Sequence, residues 1–345
     1  MAAAAFGVLM TLLVKLGNPG NMGFCGNCFL RDIAGALGLH SAVKPSYPRP
    51  EVMGLILGAF ASAIFFKEFR PAGGSAPLVR FVLGILISVG ALVFLGCPLR
   101  MTERLAGGDL NALLGLAGFV LGISIGVLLV RKGYNPGREV SYTSKIIGGI
   151  LPATALFFLI AAYLKMPGIR FSTEKPGTIH AAFLISTGAG LVAGFLFHRI
   201  RYCTLASVKD SLFFGDNKML YLVLAVLGSC MITNMLTGNF KLGFAGQPLA
   251  HTNYLWNFAG MILVGLACSL AGGCPTRHLA LSGQGNSDSA IVVIGMLAGA
   301  ALSHNFHWAS TGKGIAPAAP VVIIAGIVLC LIIGLGLREK MESIE

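Results

Sequence analysis

The chain has 345 residues, of which 55% are hydrophobic and only 11% charged, and it carries 47 glycines and a formal net charge of +12. Soluble domains carry about a quarter charged residues, so this composition excludes a water-covered globular surface and points to a polytopic protein in a lipid bilayer. The basic balance does not point to nucleic acid, because Lys and Arg fall mostly between apolar runs, where membrane proteins place them.

Ten apolar runs follow in chain order, at about 2–16, 50–66, 78–96, 110–130, 146–164, 179–198, 218–236, 255–272, 289–306 and 318–337. The first is short for a span and is expected to be partial or tilted. It has neither a basic leader nor a clear small-residue cleavage site, so it reads as a retained span rather than a signal peptide. Segment 17–49 is too polar to span, and its beginning, Gly17 to Arg31, has the Gly and Asn content of a re-entrant loop. Segments 131–145 and 165–178 read as solvated connections, 199–218 counts with the loops, and Arg338 to Glu345 is a short charged tail. Lys and Arg favour cytoplasmic placement of both termini by a narrow margin.

One short stretch occurs twice. Gly96-Cys97-Pro98-Leu99-Arg100 ends one apolar run, and Gly273-Cys274-Pro275-Thr276-Arg277 ends another. Pro is favoured in the first helical turn, where its missing N–H would be unpaired anyway. Each motif therefore predicts a break and a new short helix with the Cys at its positive end. The motifs belong to a longer repeat. Cys25 and Cys203 are 178 residues apart, as are Arg31 and Lys209, and Asp32 and Asp210; Cys97 and Cys274 are 177 apart, as are Arg100 and Arg277. The expected fold is thus an all-α polytopic membrane protein: one membrane domain, 1–345, built of two repeats, 1–165 and 179–337. About five spans in each half would make the repeats inverted, with short re-entrant helices meeting at the centre.

The chemistry follows from what converges at the breaks. A thiol is a weak donor and a polarizable acceptor, a helix N-terminus offers N–H groups and partial positive charge, and Arg adds a permanent charge. Together they suit a small soft anion. The candidate binding residues are Cys25, Cys97, Cys203, Cys274, Arg100 and Arg277, with Cys28 and His278 as local additions. Ala206 stands opposite Cys28 and Met101 opposite His278, so neither addition belongs to the repeat. Cys230, Cys268 and Cys330 lie inside apolar runs and read as packing. Asp32 and Asp210 read as counter-charges to neighbouring bases, Asn234 and Asn239 as partners of backbone groups, and His304 and His307 beside Trp308 as an interface belt. Cys25-Gly26-Asn27-Cys28 lacks both a thioredoxin-like context and a second metal-ligand pair, so neither a metal nor a cofactor is expected.

With Cys203 to Asp210, the run Ala271-Gly272-Gly273-Cys274-Pro275-Thr276-Arg277 and the duplication, the chain resembles the YeeE/YedE-type sulfur transport family from about 17 to 306. Residues 18–32 look most like the YedE branch associated with selenium metabolism. The resemblance implies a transporter, not an enzyme, in the inner membrane of a prokaryote, importing a small selenium- or sulfur-containing solute. It implies that thiols on a central path hand the anion inward, roles that fall on Cys25, Cys97 and Cys274 with Cys203 as repeat partner. It also admits a small soluble sulfur-carrier protein as partner. Two alternatives stand beside a selenium solute: thiosulfate import, and a membrane thiol oxidoreductase using Cys25 and Cys28.

Overall fold

The structure, a computed structural model, describes residues 1–338; the charged tail beyond Arg338 lies outside the described residues. Among these residues the chain forms fourteen α-helices and one pair of two-residue strands. All ten expected runs are helical: α1 (Ala2–Lys15), α3 (Pro50–Phe65), α4 (Pro77–Phe94), α6 (Asn111–Arg131), α7 (Lys145–Tyr163), α8 (Phe183–Ile200), α10 (Lys218–Thr237), α11 (Tyr254–Ala271), α13 (Ser287–Asn305) and α14 (Ala319–Gly336). Eight helical stretches are long and apolar enough to cross a membrane, while α1 and α3 are apolar but shorter.

Four short helices lie between the long ones: α2 (Gly26–Ala36), α5 (Pro98–Ala106), α9 (Thr204–Phe214) and α12 (Pro275–Gly283). Two of them correct the sequence reading. Residues 26–36 are helix rather than re-entrant loop, and most of 199–218 is helix rather than connection. In both, an extended Cys immediately precedes a run free of Pro, so a helix can start at once. Strand β2 (Val140–Ser141), inside the expected solvated connection 131–145, pairs antiparallel with β1 (Ala72–Gly73).

The order of elements repeats. In each run of seven helices the second and fifth are short, at 11 and 9 residues in both halves. Packing follows the same correspondence. Helix α3 packs along α8 as α10 does along α1, α6 packs along α11 as α13 does along α4, and α4 crosses α11. Two isolated bridges match as well, Ala72 with Asn286 and Asp109 with Gly243.

Glycine lets these helices approach closely, as small residues do in membrane interfaces. A Cβ at Gly58 would overlap the Leu191 carbonyl oxygen, one at Gly194 the Leu55 oxygen, and ones at Gly118 and Gly122 the Phe258 and Ile262 oxygens. Buried ion pairs fix the ends of the short helices. Asp32 accepts from Arg31 and Arg49, each at 2.6 Å, and Asp109 from Arg104 at 2.7 Å. Lys209 lies 3.5 Å from Asp210.

Two glycines of α8 separate packing from propensity. Gly194 faces α3, whereas nothing lies within 4 Å of a Cβ built at Gly188. Gly194→Ala is expected to destabilise the protein by about 1–3 kcal/mol through overpacking, and Gly188→Ala to leave it unchanged or slightly stabilise it. Thermal unfolding of the detergent-solubilised protein measures both, and equal effects would contradict the packing.

Candidate functional site

Each short helix is capped by a cysteine in extended backbone. Cys25 caps α2 at φ −147°, ψ 121° and Cys203 caps α9 at −156°, 115°; Cys97 caps α5 at −81°, 170° and Cys274 caps α12 at −78°, 163°. The pairs that match in sequence also match in conformation. All four thiols are buried.

The first free backbone N–H groups of a helix need acceptors, and at membrane depth no bulk water supplies them. At α2 the thiol takes that role: Cys25 Sγ accepts from the Cys28 N–H at 3.2 Å. Cys97, Cys203 and Cys274 stand at the same position but make no such cap hydrogen bond. Helix α4 ends before Cys97 with Leu95 in the left-handed region at φ 62°, where Gly272 at φ 85° ends α11. That conformation costs a non-glycine residue about 1–2 kcal/mol. In return the Leu95 carbonyl accepts from Arg100 Nη1 at 2.5 Å.

The four helix starts meet. Cys25 and Cys97 lie Sγ to Sγ at 3.5 Å, and the Asn27 N–H of α2 also points at Cys97. In the second half the Cys203 and Cys274 thiols are neighbours, and Cys274 Sγ lies 3.3 Å from Thr276 Oγ1. Across the halves, a Cβ at Gly26 would sit 3.0 Å from the Thr276 methyl and 3.3 Å from Pro275. Two thiol pairs, each made within one half, thus face a common centre.

The two arginines differ. Arg100 is 1% exposed and spends its guanidinium on carbonyl oxygens: Nε donates to Asn21 at 2.8 Å, Nη1 to Leu95 and Nη2 to Leu249 at 3.4 Å. Its Nη1 also reaches Cys28 Sγ at 3.5 Å. Cys28 therefore stands between Arg100 and Cys25. A cavity of about 460 Å³ opens against Arg100, lined also by Arg31, Lys44, Leu95, Leu249 and His304. Arg277 has no hydrogen bond to another residue and no carboxylate partner among the described residues, and its Nη1 is buried. Cys203, Cys274, His198, His278 and Arg201 are among its ionisable neighbours. His278 is buried, with Nδ1 3.1 Å from Ser289 Oγ and Nε2 against Gly273.

Several contributing residues were not singled out in the sequence. Glu103 of α5 accepts from the Gly23 N–H at 2.5 Å and the Phe24 N–H at 3.4 Å, tying the approach to Cys25 onto α5. Asn18 extends that tie, donating to Glu51 and the Gly23 carbonyl and accepting from the Ala181 N–H. A carboxylate three residues past Arg100, at membrane depth, was the available signal for Glu103. Cys230, read as packing, is buried but also lies 3.2 Å from Thr11 Oγ1. Asn234 reaches the Ala106 carbonyl at 3.3 Å, and His304 packs against His40 with ring centroids 4.7 Å apart and planes tilted by 33°.

Comparison with known proteins adds to this geometry. A family model for sulphur transport matches residues 199–335, a stretch that contains Cys203, Cys274, Arg277 and His278. The second half of the chain is similar to that family. No curated protein matches the chain. The match and the eight apolar helices together support a sulfur-related membrane transporter.

The contrast between the arginines has a measurable consequence. Arg100→Met leaves buried carbonyls without donors, at about 1–3 kcal/mol for each unpaired group, and is expected to lower the unfolding temperature by several degrees. Arg277→Met removes a partly buried charge without a partner and is expected to hold or raise it. The opposite ranking in thermal unfolding would contradict the assignment.

Proposed function

We propose that the protein imports a small selenium- or sulfur-containing anion along a path of thiols, without chemical conversion. The observation that carries this reading is the meeting of four Cys-capped helix N-termini in two thiol pairs at the centre of the bundle. In order, the path runs from the basic cavity beside Arg100, past Cys28 to Cys25 and Cys97, then to Cys274 and Cys203, and leaves past Arg277. Each station offers a polarizable thiol and a helix N-terminus, which suits a soft anion and gives a hydrated cation nothing to replace its water. His278 shapes this exit by packing on Gly273 beside Cys274.

The two halves are read as inverted repeats about an axis in the membrane plane, 1–165 and 179–337 of one membrane domain. The exchange of packing partners between them supports this. So does the odd count of five apolar helices in each, α1 and α3 of the first half being the shorter ones. The chain would sit in a prokaryotic inner membrane with both termini cytoplasmic. A selenium solute stays the first choice on the resemblance of 18–32 to the YedE branch; thiosulfate is the nearest alternative, and a small sulfur-carrier protein would receive the solute inside. The match to a sulphur transport model over 199–335 supports transport rather than catalysis.

Uptake of radiolabelled selenite and thiosulfate into proteoliposomes tests this. Cys97→Ala and Cys274→Ala are each expected to lower the initial rate at least tenfold while the protein stays folded. Undiminished uptake in both would overturn the thiol path. No uptake by the wild type, with a reversible Cys25–Cys28 disulfide, would instead favour the thiol oxidoreductase.

A further inference from the structure

Beside Cys203 stands a hydroxyl with no partner. Tyr202, the residue before Cys203, is 0% exposed, and among the described residues its OH makes no hydrogen bond. Its ring meets Phe6, which in turn meets Phe24, the residue before Cys25. The aromatic wall that holds this hydroxyl therefore joins the approach to Cys203 to the approach to Cys25.

The ring is held firmly. Tyr202 stacks on Phe197 with centroids 4.9 Å apart and planes 14° from parallel, and Phe6 closes on it at 6.3 Å. Phe6 also meets Phe24 edge-on at 5.6 Å. Phe24 is the repeat counterpart of Tyr202, 178 residues earlier. The aromatic wall therefore needs only a ring at these positions, and in the first half it has only a ring. The hydroxyl in the second half is additional, and burying it unpaired opposes folding. A phenol O–H is a stronger donor than a thiol, and donation to an anion is stronger than to a neutral acceptor.

We propose that the Tyr202 hydroxyl is the hydrogen-bond donor that receives the anion as it crosses from the Cys25/Cys97 pair to the Cys203/Cys274 pair. This rests on the transport reading above. The unpaired donor is satisfied only while the anion is at the crossing, so it stabilises the step in which neither pair holds the solute fully. Cys97 and Cys274 stay the flanking sites, and no bond to sulfur forms or breaks.

The test compares the wild type with Tyr202→Phe, Cys97→Ala and Cys274→Ala in proteoliposomes. The probe is labelled thiosulfate or selenite, whichever the wild type admits. Tyr202→Phe restores the side chain found at position 24 and is expected to lower the maximal rate about tenfold. Its half-saturating concentration is expected to stay within twofold, because entry occurs elsewhere. A second variant with 4-aminophenylalanine at position 202 keeps a donor at the same place on the ring and is expected to retain most of the rate. Full activity of Tyr202→Phe, with both cysteine variants inactive, would overturn the role of Tyr202 and leave the thiol path standing. An inactive but folded 4-aminophenylalanine variant would overturn it too, even if Tyr202→Phe fails to fold. Undiminished uptake in both cysteine variants, or none in the wild type, would instead remove the transport reading beneath it.

Discussion

A helix that starts inside a membrane bundle has N–H groups that no water can satisfy. Most of this structure can be read as the consequence of starting four such helices near one point. The chain answers each time with a cysteine in extended backbone at the cap, and at α2 its sulfur accepts from the N–H three residues on. Before α5 and α12 it adds a proline, which removes a further donor. Sulfur is a poor acceptor beside the hydroxyl or carboxylate that usually caps a helix. The four ends therefore keep much of their positive character.

The halves correspond in backbone but not in polarity. In the first half Glu103, Arg100, Asn18 and Glu51 knit the approach to Cys25 into a network of charged and amide groups. The second half has Ala280 where the first has Glu103, and Arg277 has no carboxylate or hydrogen-bond partner among the described residues. Cys28 adds a thiol on the first side, and Tyr202 adds a hydroxyl on the second. These differences leave the first half braced and basic around Arg100 and the second half looser around Arg277.

Much of the fold was legible from hydropathy, because a bilayer leaves so few solutions for an apolar run. The ten runs became helices with ends shifted by only a few residues. The breaks were legible because Cys-Pro at the end of such a run has a direct backbone meaning. Helices α2 and α9 were harder. Their mixed polar sequences resemble surface loops, and only the cysteine cap and the bundle around them make them helical. The division of labour between Arg100 and Arg277 was not legible, since both stand three residues past a cysteine. It depends on which carbonyls come within reach in space: Asn21 and Leu95 of the same half, and Leu249 of the other. For the same reason Cys28 seemed incidental in sequence, yet it lies between Arg100 and Cys25 in space.

The central claim is that the point where the two thiol pairs face each other is where a soft anion resides. The most direct measurement is X-ray anomalous scattering from crystals of the protein equilibrated with selenosulfate, whose selenium marks its own position. The account predicts a selenium peak in the space bounded by Cys97, Cys274 and Tyr202, weakened when Cys97 is replaced by Ala. Selenium found only in the outer cavity beside Arg100 and Lys44, with the centre empty at saturating concentration, would contradict it.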